Sequence, residues 1–178
     1  MDIFFTTLLV GISLSMDAFS LSLIYGTQNI GRKNEIILTI IVGLFHFFMP
    51  LLGLNIGNFL LVYFVFNINV VVGIIFSIIG LEMIISSIKD SDVKILLSMW
   101  GLVLFGFSVS LDSLTTGIGL KAINDNFLEV SSIFMICSGF FTFIGLKLGN
   151  KLSNKFGKLA TIGGGGMLII LAIYYVFR

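Results

Sequence analysis

Continuous apolar runs, each about 20 residues long, recur six times along the chain with short polar breaks between them. Membrane barrel strands alternate apolar and polar residues over about 10 positions, and the runs show no such alternation. A helix needs about 20 mostly apolar residues to cross a hydrocarbon core about 30 Å thick. The pattern therefore predicts an all-α integral membrane protein with six transmembrane helices, over Ile3–Tyr25, Ile36–Asn58, Ile68–Ile88, Ile95–Leu120, Phe127–Leu148 and Lys158–Phe177. Only short loops remain, so a single membrane domain is expected over residues 1–178, with its function inside the bilayer. No basic segment precedes the first run and no small-x-small pattern follows it, which argues against a cleaved signal peptide.

Composition narrows the classes. Hydrophobic residues make up 57% of the chain and charged residues 11%, against about 25% charged in a soluble domain. A soluble globule and a disordered chain are excluded. A net charge of +1 gives no phosphate-binding footprint, so nucleic acid is not a partner. Cys137 is alone and lies in an apolar run, which excludes a disulfide framework and a Cys-rich metal site.

The basic residues set an orientation. Arg32 and Lys33 fall in the first loop, Lys89 and Lys94 in the third, and Lys147, Lys151, Lys155 and Lys158 in or beside the fifth. The other side holds only Lys121 and Arg178. The side with eight basic residues is expected to be cytoplasmic, which puts both termini outside.

Two motifs recur in the same order. Gly11-Ile12-Ser13-Leu14-Ser15-Met16-Asp17 and Gly106-Phe107-Ser108-Val109-Ser110-Leu111-Asp112 both read G-x-S-x-S-x-D. Gly53-Leu54-Asn55-Ile56-Gly57-Asn58 and Gly145-Leu146-Lys147-Leu148-Gly149-Asn150 both read G-L-x-x-G-N. The halves, repeat one over 1–90 and repeat two over 91–178, hold three spans each. An odd number of spans inverts the second copy, as in many secondary transporters whose site lies near the midplane between the halves. The glycines are explained as small-xxx-small packing positions. Such faces serve contacts within one chain or between two, so a homodimer stays open.

The glycines do not account for Asp17 and Asp112. Each lies about two-thirds along its span, and inversion brings both close to the midplane. A charged residue there costs about 2.5–3.5 kcal/mol on insertion scales, which makes function the default reading. Helical spacing aligns Ser13, Asp17 and Ser20 on one face, and Ser108, Asp112 and Thr115 on another. Two carboxylates among hydroxyls form a hard-ligand set suited to Mn²⁺, Mg²⁺ or Ca²⁺.

Other residues are less decisive. His46 stands one turn before Pro50, which is expected to kink the second helix and free a carbonyl near position 46. The imidazole reads as a metal ligand, a proton carrier or an interhelical hydrogen-bonding group. Met16 and Met49 flank the candidate site as core filling or as thioethers disfavouring Ca²⁺. Glu82 either reaches toward the interface or adds a carboxylate to the path. Asn55 and Asn58 are helix-end residues or ligands, and Gly163–Gly166 mark close packing or a hinge.

Leu14-Ser15-Met16-Asp17-Ala18-Phe19, Ser110-Leu111-Asp112-Ser113, the proline-bearing second span and the terminal Gly-Gly-x-x-Leu-Ile pattern resemble the MntP-type manganese efflux pumps of the wider lysine-exporter superfamily. The resemblance spans essentially the whole chain. It implies export of Mn²⁺ as the transported ion, with Asp17 and Asp112 as essential acidic positions, in a bacterial inner or plasma membrane. The chain departs from the family pattern at His46, where Glu or Gln is expected, at the polar Ser113-Leu114-Thr115-Thr116, and in a short third loop without an acidic tract.

Outward transport of a divalent cation against about 100 mV costs about 4.6 kcal/mol, twice 2.3 per charge, before any concentration gradient. The chain has no ATP-binding element, so exchange with protons is expected. The main alternative is an exporter of another small cation such as a basic amino acid. An intramembrane aspartyl protease is disfavoured because Gly117-Ile118-Gly119 is followed by Leu120, not Asp. The chain therefore reads as a transporter without a resident cofactor, not an enzyme.

Overall fold

The structure, a computed structural model, describes residues 3–27, 30–63, 68–88, 98–121, 124, 126–149 and 154–177. Lys89, Lys94, residues 95–97, Asn150, Lys151 and Arg178 lie outside the described residues. The described residues form six helices: α1 (Ile3–Gly26), α2 (Arg32–Tyr63), α3 (Ile68–Ile88), α4 (Met99–Leu120), α5 (Phe127–Leu148) and α6 (Asn154–Val176). Five are long and apolar enough to cross a membrane, and α3 holds the shorter apolar stretch Val72–Glu82.

Lipid-facing surface is plain on α2. Ile36, Ile40, Leu44, Phe48, Leu52 and Ile56 are all exposed at four-residue intervals. At 1.5 Å per residue this stripe covers about 30 Å, the thickness of the hydrocarbon core.

Helix ends extend past the apolar runs. α2 starts at Arg32, not Ile36, and α6 at Asn154, not Lys158. Hydropathy marks the part of a helix inside the hydrocarbon, whereas the hydrogen-bonded helix continues into the polar interface. Gly31, at φ 82°, makes the turn into α2, and its carbonyl accepts from Glu35 N–H at 3.0 Å. α4 starts at Met99 because Ser98 caps it, accepting from Gly101 N–H at 3.1 Å. Asn126 caps α5 reciprocally with Glu129: its side-chain oxygen accepts from Glu129 N–H at 3.3 Å, and its amide donates to the Glu129 carboxylate at 3.2 Å. α2 stays helical through Pro50.

The helices form a ring in the order α1, α5, α2, α4, α3, α6. Packing is extensive at every join except α4–α3, which is slight, and α1 meets α4 only sparsely across the middle. Two apolar cores fill the ring. One, including Val10, Leu54, Phe76, Leu120, Phe134 and Leu171, draws on all six helices. The other, including Tyr25, Leu38, Val42, Leu102, Phe105 and Leu146, draws among the described residues on α1, α2, α4 and α5 and on Ile30 just before α2.

Glycines set the closest approaches. A Cβ on Gly145 of α5 would meet Phe19 O of α1 at 2.7 Å, and one on Gly149 would strike Leu23 O. In the other half, a Cβ on Gly53 of α2 would strike Leu114 O of α4, and one on Gly57 would meet Ile118 O at 2.7 Å. Gly11 lies against Ile133, and Gly106 against Ile41. Each contact has a counterpart with the halves exchanged, which is compatible with two inverted copies.

Candidate functional site

Asp17 on α1 and Asp112 on α4 are both partly buried inside the ring. They lie within electrostatic reach of each other, and Glu82 of α3 lies within reach of both. Glu82 is placed by its own helix. Ile75 of α3 rests on Gly119 of α4, at 3.4 Å from where a Cβ would stand. Glu82 follows Ile75 by two helical turns, Asp112 precedes Gly119 by two turns, and consecutive spans run antiparallel. The two carboxylates therefore come to the same level on facing helices.

The hydroxyl stripes are arranged unequally. Ser13 Oγ donates to Leu9 O and Ser108 Oγ to Leu104 O, each at 2.8 Å, so both oxygens keep lone pairs free. Ser13 is buried and Ser20 half-buried, whereas Ser108 and Thr115 are exposed.

His46 is buried on α2, with 1% of its surface exposed. Its Nδ1 lies 2.9 Å from Val42 O. A carbonyl only accepts, so Nδ1 carries the hydrogen, and in the neutral ring Nε2 is a bare lone pair. Nε2 is buried and has no hydrogen-bond partner. Pro50 lacks an N–H, so the His46 carbonyl also loses its helical donor. Among the described residues, no three His, Cys, Asp or Glu side chains gather closely enough to hold a metal ion. The site geometry is thus a central carboxylate pair with Glu82 nearby and His46 on the neighbouring helix.

The remaining candidates have mostly structural surroundings. Met49 is buried, and Pro50 packs against Gly117, where a Cβ would meet Pro50 O at 2.5 Å. Met16 O accepts from Thr161 Oγ1 of α6 at 3.4 Å. Asn55 is exposed and returns its amide to Leu51 O at 2.7 Å, the geometry of a helix-end residue. Asn58 is exposed.

Sequence reasoning missed two features. Ser22, Ser131, Ser138 and Thr142 on α1 and α5, with Ser113 and Thr116 on α4, are buried hydroxyls without hydrogen-bond partners. Their signal is small polar residues on buried helix faces. Lys147 Nζ also donates to Glu35 Oε2 at 2.6 Å, tying the end of α5 to the start of α2. No local pattern announces a pair so far apart in the chain.

Comparison with known proteins places the chain. The model of the family described as "Putative manganese efflux pump" matches residues 29–176. A Bacillus pumilus protein named "Putative manganese efflux pump MntP" is 32% identical, over 97% of this chain and 94% of its own length. Proteins of the same name from Geobacillus thermodenitrificans and Methanocorpusculum labreanum are 31% and 34% identical, the first over 95% of this chain and 93% of its own length, the second over 99% and 97%. No solved structure matches. With a family model matched over residues 29–176 and relatives about 30% identical along nearly its whole length, the chain belongs to the MntP family of manganese efflux pumps.

Proposed function

We propose that this protein exports Mn²⁺ from the bacterial cytoplasm in exchange for protons, with Asp17 and Asp112 as the central ligands. The observation that carries the reading is the Asp17–Asp112 pair, two carboxylates of the same motif within electrostatic reach across the ring. Two negative charges balance a divalent cation, and carboxylate, hydroxyl and carbonyl oxygens suit a hard ion such as Mn²⁺. The unpartnered Nε2 of His46 is a further buried nitrogen on the neighbouring helix, outside any group of three metal-binding side chains among the described residues, and suits a proton carrier better than a third ligand. The halves act as inverted repeats, so the pair faces each side in turn.

Protons supply the driving force. At the outer face, protonation of the two aspartates cancels the charge that held the ion and releases it. Deprotonation at the cytoplasmic face restores the site. An exporter-deficient bacterium expressing this chain should hold less manganese than the same cell without it. Asp17→Ala and Asp112→Ala should each abolish the difference while remaining in the membrane. In liposomes at a clamped potential, acidifying the side that stands for the cell exterior should speed Mn²⁺ flux. Flux indifferent to that pH removes proton exchange from the reading. Unchanged manganese content with wild-type protein in the membrane removes manganese.

A further inference from the structure

The ring is closed on one side and open on the matching side. α1 packs along α6, whereas α4, which carries the second copy of the α1 motif, barely touches α3. α3 and α4 meet where Ile75 rests on Gly119, far from the ends marked by Ile88 and Met99. Toward those ends the facing residues Glu82 and Ser108 are exposed. Among the described residues, the apolar core nearest that end draws on α1, α2, α4 and α5 and not on α3 or α6. Those two helices instead hold each other: Gly80 packs on Gly165, and Ser87 Oγ donates to Lys158 O at 2.9 Å. On α6, Gly163 is exposed and nothing stands within 4 Å of where its Cβ would be. Among the described residues, a crevice therefore runs between the α3–α6 pair and α4, from Ile75 along the turns toward Ile88 and Met99.

This crevice is polar. Ser108, Asp112 and Thr115 line its α4 wall and Glu82 its α3 wall. Two carboxylates facing acyl chains are strongly unfavourable, whereas polar side chains inside a membrane protein are tolerated where they line water. Ser13 and Ser20 occupy the same repeat positions as Ser108 and Thr115, yet Ser13 is buried and Ser20 half-buried. We infer that the α3–α4 crevice is a water-filled path, open at the basic end, by which a divalent cation reaches Asp112, and that the α1–α6 seam is its closed counterpart. The cation's identity, but not the crevice, rests on the transport reading above.

Single-cysteine accessibility tests this. Cys137 is the only cysteine, so Cys137→Ser gives a clean background. Ser108→Cys and Thr115→Cys would report the crevice, and Ser13→Cys and Ser20→Cys the seam. Each would be treated with a cationic, membrane-impermeant methanethiosulfonate on inside-out and right-side-out vesicles. The crevice thiols should react at least about tenfold faster than their seam counterparts, since each unit by which dry surroundings raise a thiol pKa removes about nine-tenths of the thiolate. They should do so from the cytoplasmic side, and Mn²⁺ should slow them. Equal rates within both pairs, reaction only with a lipid-soluble maleimide, or reaction only from the outer side would overturn the proposal. So would an absence of protection by every divalent cation tried. If the rates differ as expected and another divalent cation protects where Mn²⁺ does not, the crevice stands and the manganese reading falls.

Discussion

At the scale of single residues, His46 separates a structural role from a working one. Its Nδ1–H is committed to Val42 O, and its Nε2 is buried without a partner. Leaving a buried acceptor unpaired costs about 1–3 kcal/mol, so a purely structural histidine gains little there. The two nitrogens can be tested apart. Asparagine places an amide about where Nδ1 sits and keeps a donor for Val42, whereas glutamine reaches about as far as Nε2. His46→Gln should therefore retain more Mn²⁺ efflux than His46→Asn. We expect His46→Asn to lose about tenfold in rate, the equivalent of about 1.4 kcal/mol, at unchanged membrane abundance. Equal efflux from the two variants would mean that Nε2 takes no part. Asp17 and Asp112 were legible because the repeated motif drew both out of apolar spans. The tautomer of His46 was not, because it depends on where the Val42 carbonyl points.

At the scale of helices, the glycines of the repeated G-L-x-x-G-N motif set how near α2 comes to α4 and α5 to α1. Gly53 and Gly145 face carbonyls of the partner helix, so an added methyl group has nowhere to go without moving backbone. Gly53→Ala and Gly145→Ala should each destabilise the protein by about 1–3 kcal/mol, the usual range for overpacking. Gly139 of α5 is the control, since nothing lies within 4 Å of where its Cβ would stand. Gly139→Ala should be neutral, or more stable by up to about 1 kcal/mol through helix propensity. Thermal unfolding in detergent reads all three, and equal melting temperatures would refute the close-approach account. This level was largely readable from sequence, because small residues four apart in an apolar helix have few other uses. Helix ends were less so. The start of α2 at Arg32 depends on Gly31 and on Glu35 bonding back to it, and apolar periodicity carries no trace of either.

At the scale of the whole molecule, six apolar runs foretold six helices, while the opening between α3 and α4 had no sequence signature. Along the chain Glu82 reads equally as a side chain reaching toward the interface or as a further carboxylate on the path, and only its level with Asp112 on the facing helix favours the second. Orientation is the one global property that sequence treats better than packing, because it follows from which loops hold the positive charge. The ion pair between Glu35 and Lys147 joins the first and fifth loop ends, on the side that carries eight basic residues against two. Being partly exposed, it contributes at most about 1 kcal/mol and does not itself fix the topology. If both termini lie outside, as the placement of the basic residues predicts, an alkaline phosphatase joined after Arg178 should be active and a green fluorescent protein joined there should be dark. Replacing Lys151, Lys155 and Lys158 by glutamine takes eight basic residues to five, still against two, and both reporters should keep their signals. Replacing Arg32 and Lys33 as well leaves three against two. At that near-balance the bias is spent and mixed insertion should appear, seen as partial phosphatase activity with partial fluorescence. A bright fluorescent fusion on the unaltered chain would reverse the orientation, and the crevice between α3 and α4 would then open to the cell exterior.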